Sequence, residues 1–204
     1  MTSARINDPI AGVILAAGSS ERLGRPKQLL TWQGKPFVCQ VALNALEAGI
    51  SPLVVVTGAN HEEVEKALSD LPVDVIYNPD WASGQSTSMK AGLHELPIRC
   101  GGVMLLLSDQ PQISPLLIRS LIETFTRNHQ PITAPLVGGS RGNPVLFGRE
   151  TFPALEKVTG DVGGRPLFKD FEVDWLPWID ARVLLDVDDK ADLENLRQAY
   201  HLQD

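Results

Sequence analysis

The sequence predicts an α/β protein with a doubly wound, mostly parallel but mixed sheet and helices on both faces. Two observations carry this reading. Short apolar runs recur at residues 11–16, 53–57, 73–77, 102–107 and 132–135 without polar alternation, as expected of strands buried on both faces. Segments with helical spacing separate them, and strands alternating with helices build open sheets whose ligands sit at the C-terminal ends of the strands.

The elements follow in order. The run over 11–16 leads straight into a polar, glycine-punctuated loop. Residues 35–49 put Val38, Val41, Ala42, Ala45 and Leu46 on one helical face, with Gly49 as the stop. Asn60 reads as the cap of a helix over 61–68, Glu63 completing a box-like pattern. Residues 86–96 read as a third helix. Ser114-Pro115 opens a fourth, with serine as cap and proline at the first helical position. Asp188 or Asp189 opens the last, running through Tyr200. Residues 137–147 and 173–187 read as strands less tightly coupled to helices, forming a mixed edge or a β subdomain over the sheet. No repeat, low-complexity tract or linker divides the chain, so residues 1–204 read as one domain.

Bulk properties narrow the function. The 204 residues are 43% hydrophobic and 21% charged, an ordinary soluble composition and enough chain to fold without staples. A net charge of −7 argues against a sequence-independent nucleic-acid surface. A phosphate site is local and remains compatible with it. Cys39 and Cys100 are far apart and outside any CxxC pair, which excludes zinc and disulfide frameworks. The N-terminus lacks an apolar leader core and no run approaches 18 apolar residues, so the expectation is a cytoplasmic protein with no membrane partner.

The stretch LAAGSSERLGRPKQ, from Leu15, carries the chemistry. Ala16, Ala17 and Gly18 have almost no side chain, so a flat ring could lie on their backbone. From Gly18 through Ser19 and Ser20 to Gly24, N–H groups can wrap around phosphate oxygens. Arg22 and Lys27 add a forked and a point-like cation. The loop is neither a P-loop nor GxGxxG, because Gly24 is followed by Arg25-Pro26-Lys27. Downstream, Ser108-Asp109-Gln110-Pro111 ends a buried strand with a carboxylate aimed at the ligand crevice. Asp186 and Asp188 share one side of an extended segment and can converge. A hard cation such as Mg2+ takes one or two such carboxylates plus phosphate oxygens. The turn Gly84-Gln85-Ser86, with Ser88 one residue further into the helix than Thr87, offers amide and hydroxyl groups for a base edge or ribose. Two glycine-rich loops each carry an arginine, Arg141-Gly142-Asn143-Pro144 and Gly160-Asp161-Val162-Gly163-Gly164-Arg165, suited to an anionic acceptor. Among the tryptophans, packing is the simplest role, and the cluster Trp175 to Trp178 stands out as a stacking surface.

These motifs, in this order and from about Ile10 to Ala199, resemble the MobA-like branch of nucleotidyltransferases. The first matches L-A-[AG]-G-x-[SA]-x-R-[ML]-G-x-x-K. The arginine loops match the RG-[NH]-P and GD-x-G-[AG]-R segments of the molybdenum cofactor cytidylyltransferases. The resemblance implies a Rossmann-like nucleotidyltransferase fold. Residues 10–110 would be the nucleotide-binding half, and 111–204 the acceptor half with the second metal ligand. It assigns Leu15, Ala16, Ala17, Gly18, Ser19, Ser20, Gly24, Gln85, Ser86 and Ser88 to the nucleotide, and Arg22 and Lys27 to catalysis. It assigns Asp109 and Asp188 to Mg2+, Asp186 being an alternate. The acceptor side is given Arg141, Asn143, Pro144, Asp161, Gly163, Gly164 and Arg165. The family's D-[IV]-D-T-P reads here DVDDK, with Asp189-Lys190 in place of Thr-Pro.

Ala17 in place of the glycine usual in guanylyl-transferring relatives leans towards CTP. The implied reaction moves CMP from CTP to the terminal phosphate of molybdopterin, releasing pyrophosphate. A transient contact with a molybdoenzyme or a cofactor-insertion chaperone would follow. Rival readings are a guanylyltransferase on the same cofactor, a sugar- or polyol-phosphate nucleotidyltransferase, or a cofactor-binding maturation chaperone without chemistry.

Overall fold

A computed structural model describes residues 8–200. The first seven residues, which hold most of the stretch read as lacking a leader core, and the last four lie outside that range. One eight-stranded sheet organises the chain. Its central strand β1 (Ile10–Ala16) lies parallel between β4 (Leu53–Thr57) and β6 (Gly102–Leu107), and β5 (Asp74–Tyr77) extends the parallel run beyond β4. On the other side β9 (Val145–Gly148) runs antiparallel to β6 and to β7 (Ile132–Val137), and β10 (Val173–Pro177) closes that edge parallel to β7. The short β8 (Ser140–Arg141) pairs with β7. Strand order reverses about β1, which places the ligand crevice at the C-terminal ends of β1 and β6.

Four of the five apolar runs behave as double-faced strands, while β5, at the edge of the sheet, is only partly buried. Ile14, Val55, Met104 and Leu106 pack with α1 (Phe37–Glu47), α2 (His61–Leu68) and α4 (Pro115–Asn128) on one face. Val13, Leu15, Val56 and Leu105 pack with Met89 and Leu93 of α3 (Gln85–His94) on the other. Ser114 accepts from the Leu117 N–H ahead of Pro115, as its sequence position predicts. Beyond the one-turn α5 (Phe152–Leu155), Asp189 caps α6 (Lys190–Ala199) by accepting from the N–H groups of Ala191 and Asp192, while Asp192 accepts in return. Asp188 is thereby left to face the crevice.

Several expectations are corrected. Lys35–Pro36 forms β3, which pairs with β2 (Thr31–Trp32), so α1 begins only at Phe37. Asn60 makes no side-chain cap to α2; its backbone lies at φ −121° and ψ 41°, and its buried Nδ2 has no hydrogen-bond partner among the described residues. Helix α3 starts at Gln85 behind Gly84 rather than at Ser86. Of residues 173–187 only β10 is strand, and a 3-10 turn (Ala181–Leu184) follows. The late strands extend the main sheet as a mixed edge and do not build a β subdomain over it.

Candidate active site

The loop after β1 is held by a residue unnoticed in the sequence. Gln28 is buried, and its Nε2 donates to the carbonyls of Ala16 (3.0 Å) and Gly18 (2.8 Å). The Ala17 carbonyl accepts from the Ala59 N–H. The carbonyls of the small-residue floor are therefore spent on holding the loop. Ser20 adopts a left-handed conformation (φ 59°), and its hydroxyl accepts from the Lys27 N–H at 2.9 Å. That bond folds the loop back so that Lys27 points to the ends of β1 and β6.

There the charges converge. Lys27 Nζ lies 2.5 Å from Asp109 Oδ2 and 3.2 Å from Asp188 Oδ1, and Arg22 reaches the other oxygen of Asp188 at 3.2 Å. Gln110, buried beside Asp109, donates to Asp186 Oδ1 at 2.5 Å. Burial works against the ammonium of Lys27, but Asp109 and then Asp188 outweigh it and raise the pKa. Asp188 shows the mirror case: partial burial opposes ionisation, yet Lys27 and Arg22 hold its carboxyl below the ordinary value. Asp186 opens onto the crevice but is surrounded by enough protein that desolvation, and then the charge of Asp109, push its pKa up. The three carboxylates thus carry more negative charge than the protein's own cations offset. Their oxygen-only donor set fits a hard divalent cation completed by phosphate oxygens. Among the described residues no group of three His, Cys, Asp or Glu forms a self-sufficient metal cage.

Two adjoining clefts meet at this junction. One, of about 670 Å³, is lined by Gly18, Ser19, Ser20, Arg22 and Lys27 and by residues 81–84 of the turn before α3. The second, of about 410 Å³, is lined by Arg141, Asn143, Gly163, Gly164 and Arg165 over an apolar floor that includes Leu107, Phe147 and Phe168. Arg22, Lys27, Asp161 and Asp188 border both. The Arg141 guanidinium lies 4.4 Å from the centroid of the Phe168 ring, which also packs against Trp175. Burial and then the charge of Arg165 lower the pKa of Arg141. Two cations that disfavour each other beside an aromatic floor suit a flat, anionic ligand.

Other expected contacts move. Leu15 and Gln85, read as nucleotide residues, border the second cleft. Ser86 and Ser88 are buried, and Ser88 accepts from Asn78 Nδ2. Ala16, Ala17, Gly24 and Pro144 border neither of the two clefts. Asp161 accepts from the Gln85 N–H at 3.1 Å. Gln28, Gln110, Phe147 and Phe168 carry no role in the sequence analysis, and Trp81, one of the tryptophans for which packing is the simplest expectation, borders the larger cleft. A glutamine next to each motif, Lys27-Gln28 and Asp109-Gln110, was the available signal.

Comparison with known proteins agrees with this geometry. The profile of the MobA-like NTP transferase domain matches residues 12–175. Nicotine blue oxidoreductase of Paenarthrobacter nicotinovorans is 30% identical, covering 95% of this chain and 96% of its own. Molybdenum cofactor cytidylyltransferase of Escherichia coli is 28% identical over 67% of this chain and 69% of its own. The crystal structure of Rv0371c from Mycobacterium tuberculosis superimposes with a TM-score of 0.84 at 31% identity, covering 93% of this chain and 98% of that one. A second structure of Rv0371c, a complex with manganese, gives 0.81 at 29% over the same shares.

Proposed function

The chain belongs to the MobA-like NTP transferase family, and from that premise we propose that it transfers CMP from CTP to the terminal phosphate of a molybdopterin-type cofactor. The observation that carries the proposal is the junction of Lys27, Asp109 and Asp188 where the two clefts meet. Attack of an acceptor phosphate on the α-phosphorus, with the bond to pyrophosphate breaking, needs both ligands to meet at one cationic point.

In this reading the larger cleft takes the nucleotide. The N–H groups of Gly18, Ser19 and Ser20 make no hydrogen bond among the described residues, and these donors would receive phosphate oxygens. Arg22 and Lys27 offset the charge that builds on the α-phosphate in the transition state. Asp109 and Asp188, with Asp186 as alternate, would hold Mg2+, which when bound polarises the α-phosphate. Lys27, bonded to these carboxylates here, would donate to phosphate oxygens of a bound nucleotide. No general base is required, because the attacking group is itself an ionised phosphate. The second cleft takes the acceptor, its phosphate between Arg141 and Arg165 and its ring over Phe168 and Phe147. The choice of cytosine over guanine rests in this proposal on Ala17 standing where guanylyl-transferring relatives carry glycine, not on a contact, since Ala17 borders neither cleft. The single-domain organisation, with halves at 10–110 and 111–204, is part of the same reading.

A thermal-shift panel of CTP, GTP, UTP and ATP with Mg2+ tests it. Binding to the folded state alone raises stability by mass action, so CTP should give the largest shift. No shift with any triphosphate would remove the nucleotide reading. A redox reading rests on the oxidoreductase that is similar over nearly its full length. Transfer of two electrons from a reduced nicotinamide dinucleotide to an added dye acceptor, without any triphosphate, would favour it.

A further inference from the structure

Two glycine loops from distant parts of the chain touch where the clefts join. The turn before α3 walls the nucleotide-side cleft, and residues 161–165 wall the other. Gln85 N–H donates to Asp161 Oδ1 at 3.1 Å, and Ser86 N–H donates to the Gly160 carbonyl at 3.2 Å. Beside the Asp161 side-chain bond the two loops meet backbone on backbone. A Cβ added to Gly84 would lie 2.6 Å from the carbonyl atoms of Gly160 and 2.8 Å from the nitrogen of Asp161. Gly84 and Gly160 both hold positive φ, 113° and 87°. Gly163 closes over Gln85, where a Cβ would be 3.0 Å from Oε1.

Asp161 borders both clefts, yet a carboxylate beside a triphosphate is electrostatically unfavourable unless it has another task. Its task here is to satisfy an otherwise free donor in the first turn of α3. We propose that Asp161 and Gly160 are positioning residues that clasp the nucleotide-side turn to the acceptor loop. The two walls then order as one unit, and a ligand in one cleft favours binding in the other. Whichever ligand arrives first meets the ordering cost for both walls. The inference deepens the nucleotidyltransferase reading and rests on it for the identity of the ligands.

Hydrogen exchange on the purified full chain tests the clasp. Without nucleotide, Asp161→Ala should speed exchange in both 81–86 and 160–165. Asp161→Asn, whose amide oxygen still accepts from Gln85, should leave both near wild type. Adding CTP with Mg2+ should slow exchange across 160–165 in wild type and in the asparagine variant, but not in the alanine variant. CTP affinity should fall about fivefold in Asp161→Ala and stay within about twofold in Asp161→Asn, the scale of one hydrogen bond. Faster exchange confined to 160–165 in the alanine variant, or an asparagine variant that behaves like alanine, would overturn the clasp. If no triphosphate binds wild type, the nucleotide reading fails, and the nucleotide-free exchange still decides the clasp.

Discussion

Replacing Lys27 by methionine separates the two tasks of the junction. The ammonium contacts Asp109 at 2.5 Å and Asp188 at 3.2 Å, with side chains 20%, 11% and 45% exposed respectively. Removing one partner of a well-buried pair costs about 3–5 kcal/mol. Here Asp188 is half-exposed and keeps Arg22, so the loss falls on Asp109 and should be nearer about 1–3 kcal/mol. For a chain of this size that lowers Tm by roughly 2–10 °C. The pKa of Lys27 is raised in the folded state, so on the lysine side this contribution is complete below the ordinary 10.5 and fades as pH rises through the folded value. At the acid end it is lost as pH falls through the lowered folded pKa of Asp188 and the pair loses its negative partner. Mg2+ should restore more stability to the variant than it adds to wild type, because it replaces the missing counter-charge. Loss of one preorganised donor to a transition state costs about 10²–10³-fold in kcat. Calorimetry with and without Mg2+, together with the rate of pyrophosphate release, provides the assay. A variant with wild-type Tm, or with kcat within about threefold of wild type, would refute the roles given to Lys27.

Further outcomes follow from the same geometry. Asp186→Asn, measured without metal, should raise Tm at pH 7, because ionisation of Asp186 is disfavoured in the fold. The gain should vanish as pH falls from the raised folded pKa to below the ordinary 3.8, and its persistence at pH 3 would contradict the electrostatic cause. A Cβ on Gly164 would lie 2.2 Å from the Phe147 ring, so Gly164→Ala should destabilise by about 1–3 kcal/mol. Denaturant titration should show Phe147→Leu recovering part of that loss in the double variant. Arg141→Ala should raise the KM for the acceptor about tenfold and leave the KM for nucleotide nearly unchanged. Equal effects on both would move Arg141 out of the acceptor cleft.

What could be read in advance was local or double-faced. The run over 11–16, the Ser114-Pro115 start and the Asp189 cap are set by neighbouring residues, and all stand in the fold. Asp109 sits in the turn straight after the central strand β6, where chain direction alone carries it to the crevice, whereas Lys27 lies further along the loop after β1 and is brought there by the Ser20 hydroxyl, which accepts from its N–H. What escaped depends on contacts across the chain. Asp161 meets Gln85 from 76 residues away, and Gln110 meets Asp186 across the same interval. No periodicity encodes such pairs. Asn60 failed as a cap because a cap needs a backbone geometry that residue type alone does not impose. The hairpin of β2 and β3 escaped because two-residue strands carry no pattern.

The most direct measurement is pyrophosphate release by the purified chain with a molybdopterin-type acceptor, Mg2+ and each of CTP, GTP, UTP and ATP in turn. Release should require both acceptor and metal, be fastest with CTP, and be lost in Asp109→Asn. No release with any triphosphate in the presence of acceptor and Mg2+ would contradict the proposed transfer.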